Sequence, residues 1–137
     1  MDFNKLFSLE GRVALVTGGQ RGIGAMITEG DNCTYIQGDI STYEGCKALA
    51  AEIASREEKL DILVNNAGVA WGAEYVDFPE SGWDKVMDTN VKGLFFLTQS
   101  LHPQLKAAAS FERPAKVINI ASIDGLKGND EQGRPRP

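Results

Sequence analysis

The sequence predicts an α/β fold in which helices flank an open, mostly parallel sheet. Two observations predict it. Short apolar runs alternate along the 137 residues with segments whose apolar residues have helical spacing, and this β-α-β order implies parallel strands. The first apolar run also ends at a cluster of glycines, as a strand buried on both faces does before a tight turn.

The composition is that of an ordinary single-domain globular protein. Hydrophobic residues make up 42% and charged residues 24%, and the formal net charge is −5. An acidic chain lacks the basic face that binding to nucleic acid or an anionic membrane requires, so neither partner is expected. No stretch approaches the roughly 18 apolar residues of a membrane span.

The two cysteines, Cys33 and Cys46, form no CxxC pair and have no nearby histidine partner. We therefore expect no metal site. Thiols without a disulfide pattern are typical of a reducing compartment. The sequence accordingly predicts two buried thiols and, in the absence of an apolar leader segment, a cytoplasmic protein.

The first half of the chain contains three predicted strands and two helices. Val13 to Thr17 forms the first strand, and the first helix runs from Gly22 to about Glu29. The elements that follow are a strand over Thr34 to Gly38, a helix with Ser41 as its N-cap and with Cys46, Leu49, Ala50 and Ile53 on one face, and a strand over Leu60 to Val64.

The second half begins with one long predicted helix from Ser81, which can bend at Gly93 and Pro103. Its apolar residues at helical spacing are Trp83, Val86, Met87, Val91, Leu94, Phe95 and Leu101. Lys116 to Ala121 is the fourth strand. Glycine, proline and charged residues dominate beyond Ser122, so we expect one partial α/β domain over residues 1–128 and a disordered tail over 129–137.

The glycine-rich segment from Thr17 to Gly24 follows a strand and opens a helix. Glycine adopts backbone angles that other residues avoid and has no Cβ between backbone and ligand. A pyrophosphate can therefore approach the N–H groups at the helix start. A plain glycine turn is the alternative interpretation, because glycine spacing alone is a weak signal.

Four motifs occur in order along the chain: TGxxxGIG, NNAG at 65–68, Thr89-Asn90-Val91, and a strand that ends in Ser122. Together they resemble the short-chain dehydrogenase/reductase family, whose fold is a Rossmann-like sheet, and the resemblance covers nearly all of residues 9–128. The segments NNAG, WGA, SGWDKVM and INIAS are most similar to 3-oxoacyl reductases of the rhamnolipid-biosynthesis type.

The resemblance implies a nicotinamide coenzyme held at the strand ends. The implied cofactor-binding residues are Gly18, Gln20, Arg21, Gly22, Ile23, Gly24, Asp39, Ile40, Asn66, Ala67 and Gly68. The glycine turn would hold the pyrophosphate, Asp39 and Ile40 would flank the adenine, and Asn66 to Gly68 would lie near the nicotinamide ribose. Alternatively, Asp39 closes its strand through an Asx turn. Asn66 to Gly68 would also brace the end of the strand that precedes them, which is compatible with a role beside the ribose.

Arg21 lies inside the glycine turn, where family members that prefer NADP often carry a basic residue. A guanidinium can pair with the ribose 2′-phosphate through two hydrogen bonds, so the resemblance favours NADP over NAD. A solvated surface arginine is the alternative.

Family members use Asn, Ser, Tyr and Lys for catalysis. The tyrosine protonates the carbonyl oxygen, the serine orients that oxygen, and the lysine lowers the tyrosine pKa. Asn90 and Ser122 match two of the four, although Ser122 could equally be a turn residue. The last tyrosine is Tyr75 and no YxxxK follows Ser122, so we expect this 137-residue chain to lack turnover.

The chain is also shorter inside the predicted fold than the family pattern. Only fourteen residues separate Gly24 from Asp39, whereas a complete βαβ unit takes about 30 or more. One helix and one strand are therefore expected to be missing, and with them the residue that separates NAD from NADP. Loss of that helix should expose apolar residues of the sheet.

The resemblance implies an NAD(P)-dependent oxidoreductase that reduces a carbonyl group, such as that of a 3-oxoacyl substrate, or oxidises the matching alcohol. A homo-oligomer is the assembly common in the family. The alternatives are a non-catalytic nucleotide-binding or interaction module and a fragment without a function of its own.

Overall fold

The computed structural model describes residues 8–20, 22–28 and 33–122. Within these ranges lies a three-stranded parallel sheet with the strand order β1-β2-β3. The strands are β1 (Ala14–Val16), β2 (Ile62–Asn65) and β3 (Lys116–Asn119). All three fall within or beside apolar runs of the sequence, so the predicted parallel α/β architecture is confirmed.

Five α-helices connect the strands in the described part of the chain. They are α1 (Gly22–Ile27), α2 (Tyr43–Arg56), α3 (Glu80–Met87), α4 (Leu94–Ser100) and α5 (His102–Ala108), with a π-helical turn over Asp88–Gly93 and a 3-10 turn over Tyr75–Asp77. The long helix predicted from Ser81 is therefore divided. Its α-helical hydrogen bonding changes at Asp88, and Leu101 separates α4 from α5, with Pro103 in the first turn of α5.

The core lies on one face of the sheet, where α2, α4 and α5 pack. The predicted apolar face of α2 is confirmed, because Cys46, Leu49, Ala50 and Ile53 are all buried. Together with these residues the core contains Leu60, Leu63, Leu97, Leu101 and Leu105. The N-cap of α2 is Thr42 rather than the predicted Ser41, since the Thr42 hydroxyl accepts the Gly45 N–H at 3.0 Å.

The predicted strand over Thr34 to Gly38 is wrong, because these residues form no strand. β-branched and aromatic residues favour a strand locally, but a strand also needs a neighbour to share its N–H and C=O groups. This segment pairs with no strand among the described residues, where β1 pairs only with β2. The short connection after Gly24 leaves no room for a strand in between.

Apolar side chains of the sheet remain in contact with solvent. Ala14 is exposed, and Ile118 and Ile120 keep 46% and 42% of their surface exposed. The thiols also differ from the prediction, because Cys46 is buried whereas Cys33 is exposed. The predicted tail over 129–137 lies outside the described residues.

Among the described residues, no helix has both the length and the apolar character needed to cross a membrane. No cluster of three or more His, Cys, Asp or Glu side chains in these ranges could hold a metal ion.

Candidate functional site

The glycine-rich turn connects the carboxyl end of β1 to the start of α1, where the sequence places it. Gly18 and Gly22 have φ values of +68° and +58°. These values lie in the left-handed region, where a side chain strains the backbone. The turn therefore depends on glycine at both positions.

Thr17 joins this turn to the loop that follows β2. Its buried hydroxyl oxygen accepts hydrogen bonds from the backbone N–H groups of Asn66 at 3.0 Å and Ala67 at 2.9 Å. In return, Asn66 Nδ2 donates to the Thr17 carbonyl oxygen at 2.9 Å. The glycine turn and the NNAG loop thus form one unit at the carboxyl ends of adjacent parallel strands, where open α/β sheets bind ligands.

Gly24 and Gly22 differ in what surrounds them. Gly24 is buried, and a methyl group there would clash with the Gly18 carbonyl oxygen and lie 2.5 Å from Asn66 Nδ2. At Gly22 nothing lies within 4 Å of the same position. Gly24 therefore allows α1 to pack against the turn, whereas Gly22 borders open space that a phosphate could fill.

Asn90 lies in the π-helical turn and holds the loop beyond Gly68. Its Oδ1 accepts the Val69 N–H at 2.9 Å, and its Nδ2 donates to the Val69 carbonyl oxygen at 2.8 Å. Single π turns inside helices are frequent at functional sites. Both polar atoms of the Asn90 side chain thus fix the position of the loop.

Asp39 forms the Asx turn that was one of its two interpretations. Its Oδ1 accepts the Ser41 N–H at 2.9 Å and the Ser41 hydroxyl at 2.8 Å. The hydrogen bond from the Ser41 backbone N–H has the largest effect on the pKa of the exposed Asp39 carboxyl and lowers it below its ordinary value. The bond from the Ser41 hydroxyl lowers this pKa further. The carboxylate is therefore ionised at neutral pH.

Ile40 is held in place by its carbonyl oxygen. That oxygen lies against Gly93, where a methyl group would clash with it, and accepts a hydrogen bond from Cys46 Sγ at 3.3 Å. Burial raises the pKa of the Cys46 thiol, and the negative charge of Asp39 raises it further. Cys46 therefore stays a thiol and serves as a donor in this contact.

An open groove of about 1510 Å³ runs along these elements. The predicted coenzyme residues that line it are Gly18, Gln20, Gly22, Ile23, Asp39, Ile40, Asn66, Ala67 and Gly68. The groove exceeds the 300–1,000 Å³ typical of small-molecule pockets. Of the remaining predicted residues, Gly24 is buried, Asn90 lies behind the loop, Ser122 is exposed just after β3, and Arg21 lies outside the described residues.

A polar contact between strands was missed at the sequence level. Buried Asn65 donates both amide hydrogens, to Thr98 Oγ1 at 3.1 Å and to Asn119 Oδ1 at 2.9 Å. The register pairs Asn65 with Asn119. The sequence signal for this contact was an asparagine in each of two apolar strands. The contact fixes the position of β3, and hence of Ser122, relative to β2.

Comparison with known proteins places this geometry in a family. A family model described as short chain dehydrogenase matches residues 25–133. The Pseudomonas aeruginosa rhamnolipids biosynthesis 3-oxoacyl-[acyl-carrier-protein] reductase is 42% identical over 154 aligned positions, which cover 92% of this chain and 60% of that protein. A Thermotoga maritima 3-oxoacyl-[acyl-carrier-protein] reductase, FabG, is 31% identical and covers 90% of this chain and 61% of its own length.

Solved structures agree with this assignment. The Pseudomonas aeruginosa RhlG/NADP active-site complex matches with a TM-score of 0.86 and 41% identity over 92% of this chain and 60% of that chain. An NADH-dependent reductase, A1-R′, at 23% identity and a TM-score of 0.79, shares the fold.

The chain spans about three fifths of the length of the relatives it matches. The 154 aligned positions also exceed the 137 residues of the chain, so the relative has residues inside the aligned stretch that this chain lacks. This agrees with the short connection after Gly24. On its sequence motifs, its family-model match and its fold, the chain belongs to the short-chain dehydrogenase family.

Proposed function

We propose that this chain binds a nicotinamide coenzyme, NADP in preference to NAD, in the groove beside the glycine turn. The observation that carries the proposal is the Thr17 contact to Asn66 and Ala67. This contact brings the glycine turn and the NNAG loop together at the carboxyl ends of β1 and β2. Open space at Gly22 supports a phosphate position there. The relative of known structure was solved with NADP, and Arg21 in the turn favours the same coenzyme.

The residues of the groove have separate proposed roles. Gly18, Gln20, Gly22 and Ile23 surround the pyrophosphate, with Gly24 packing behind them. Asp39 and Ile40 flank the adenine, and Asn66, Ala67 and Gly68 line the nicotinamide ribose. The bound coenzyme would supply or accept the hydride, while the chain positions it and excludes water.

The proposed reaction of the whole protein is reduction of a carbonyl, of the 3-oxoacyl class, or oxidation of the matching alcohol. Ser122 would orient the substrate oxygen, and Asn90 would hold the loop and a water in the proton path. The 137 residues contain no tyrosine after Tyr75, so proton donation as the family performs it has no donor in them. We accordingly propose that these 137 residues bind coenzyme without turnover.

Calorimetric titration tests binding directly. NADPH is expected to bind the purified chain more tightly than NADH, because Arg21 can pair with the 2′-phosphate. Gly22→Asp should abolish binding, since it places a carboxylate beside the pyrophosphate and strains a left-handed position. If neither coenzyme gives a binding heat, the proposal of coenzyme binding is wrong. Sustained NADPH consumption with a 3-oxoacyl thioester would contradict the proposal that these residues have no turnover.

The second candidate function, for the whole protein, is a non-catalytic nucleotide-binding or interaction module, which would use the same groove without a reaction. Both cysteines are free thiols in the structure, which supports the cytoplasm as the proposed compartment for either function.

We also propose a homo-oligomer formed through the α3–α4 surface. Four exposed apolar residues follow one another at intervals of four: Trp83 (60% exposed), Met87 (36%), Val91 (53%) and Phe95 (58%). A two-fold axis places the same patch of both copies together. Antiparallel pairing about the middle of this stripe would set Trp83 of one copy beside Phe95 of the other, and Met87 beside Val91.

Sedimentation velocity should therefore show a dimer for the wild-type chain and a monomer for Trp83→Glu, because a buried unpaired carboxylate opposes association. The matched control is Tyr75→Glu, which places the same charge at an exposed aromatic outside the stripe. A monomeric wild type, or equal dissociation by both variants, would contradict the stripe as the interface.

A further inference from the structure

Thr28 follows the last residue of α1, and its side chain contacts the glycine turn that precedes this helix. Its Oγ1 lies 3.1 Å from the Gly19 carbonyl oxygen, nine positions earlier in the chain. Its methyl carbon Cγ2 packs against the same residue, because a Cβ added at Gly19 would lie 3.2 Å from it. Both branches of the Thr28 side chain therefore meet the turn at Gly19.

The Thr28 hydroxyl has one proton and several carbonyl oxygens within reach. Besides Gly19, these are the Gly24 oxygen at 3.1 Å and the Ala25 oxygen at 3.3 Å, both in α1. The Gly24 oxygen already accepts the Thr28 backbone N–H at 3.1 Å, whereas no backbone N–H of the described residues reaches the Gly19 oxygen. Because a partly buried carbonyl without a donor is costly, the Gly19 oxygen is the acceptor that most needs the hydroxyl proton.

A hydrogen bond to the Gly19 carbonyl also fixes the peptide group between Gly19 and Gln20. In a trans peptide the C=O and N–H point in opposite directions, and no described peptide bond is cis. The Gln20 N–H is therefore directed away from Thr28. Gln20 is exposed and lines the groove together with Gly19, so a ligand in the groove can approach this N–H.

We propose that Thr28 is a positioning residue for the coenzyme, which holds the Gly19–Gln20 peptide so that its N–H can donate to the pyrophosphate. If this peptide rotated, the negative end of its dipole, the Gly19 carbonyl oxygen, would face the phosphates instead and repel them. The Thr28 hydroxyl thus acts on the ligand through the backbone. This inference rests on the proposed binding of NADP beside the glycine turn, and it adds a residue that lies outside the TGxxxGIG motif.

Carbonyl-carbon NMR of the free chain tests the hydrogen bond without coenzyme. A carbonyl carbon signal moves upfield when its oxygen loses a hydrogen bond. Thr28→Val keeps the shape of the side chain but has no donor, so the Gly19 signal should move upfield while the Gly24 and Ala25 signals change less. Thr28→Ser keeps the donor and should leave the Gly19 signal near its wild-type position.

Calorimetry with NADPH tests the effect on binding. Thr28→Val should weaken NADPH binding about two- to tenfold, which is the contribution of one hydrogen bond, and Thr28→Ser should restore it. Adenosine 2′-monophosphate has no pyrophosphate, so its affinity should be the same in both variants and the wild type. The matched control is Ser55→Ala, which removes a hydroxyl that donates to the Glu52 carbonyl oxygen at 2.7 Å within α2 and should leave NADPH affinity unchanged.

Three results would overturn the proposal: an upfield shift at Gly24 or Ala25 with none at Gly19, equal NADPH affinity of Thr28→Val and the wild type, or equal weakening of NADPH and adenosine 2′-monophosphate. Thr28→Ala, with its high helix propensity, replaces the valine variant in both measurements if that variant does not fold. A wild-type chain that gives no heat with NADPH contradicts the proposed function itself, and the carbonyl signals still decide whether Thr28 holds this peptide.

Discussion

Replacing Gly24 with alanine is expected to remove coenzyme binding and to destabilise the chain. The added methyl group would collide with the Gly18 carbonyl oxygen and approach Asn66 Nδ2 to 2.5 Å in a buried position. Backbone atoms cannot move aside as the end of a flexible side chain can. Overpacking of this kind costs about 1–3 kcal/mol of unfolding free energy, and α1 would be displaced from the turn.

Urea denaturation measures the stability loss, and calorimetry with NADPH measures the loss of affinity, which should exceed about tenfold for a displacement worth more than about 1.4 kcal/mol. Gly72→Ala is the matched control, because a methyl group at Gly72 meets nothing within 4 Å. Equal behaviour of the two variants would show that close packing at Gly24 does not set the geometry of the turn.

Replacing Thr17 with valine should be about as damaging, for a different reason. The change keeps the shape of the side chain but removes the oxygen that accepts from Asn66 N–H and Ala67 N–H. A buried backbone donor left unsatisfied costs about 1–3 kcal/mol. The two donors here are partly buried, so each should cost an amount toward the lower end of that range. The NNAG loop should then separate from the glycine turn, and NADPH affinity should fall together with stability.

Thr17→Ser separates the hydroxyl from the methyl group. Serine retains the acceptor and should lose only the packing of one methyl, about 1 kcal/mol. Thermal unfolding of the three proteins should therefore rank wild type, Thr17→Ser and Thr17→Val in descending stability. A serine variant as unstable as the valine variant would show that the hydroxyl bonds contribute little.

Local sequence was sufficient to locate four of the elements. β1, β2 and β3 were predicted because each falls within or beside a short apolar run, and the buried face of α2 follows from helical spacing. The segment from Thr34 to Gly38 has the same local character and still forms no strand. Strand formation depends on a neighbour, and the neighbour is determined elsewhere in the chain.

In the candidate site, too, some residues could be predicted from local sequence, whereas others depend on contacts between distant residues. Motif order gave Gly18, Gly22 and Asn66, which line the groove. The hydrogen bonds between Asn90 and Val69 join residues 21 positions apart. The contact between Asn65 and Asn119 spans 54 positions. No local sequence pattern indicates contacts between residues so far apart in the chain. The π-helical turn and the polar contact between strands are therefore seen only in the structure.

The π-helical turn over Asp88–Gly93 also limits which changes of chain length the protein can accept. It accommodates extra backbone in one helical turn while Asn90 stays opposite Val69. Each residue of an α-helix advances the chain by about 100° around the axis, at 3.6 residues per turn. A deletion of one residue within Asp88–Gly93 should therefore be absorbed by a return to α-helical bonding, which keeps Leu97 in the core but moves Asn90 away from Val69. A deletion within Leu94–Ser100 has no such reserve and should rotate the residues that follow it by about 100°.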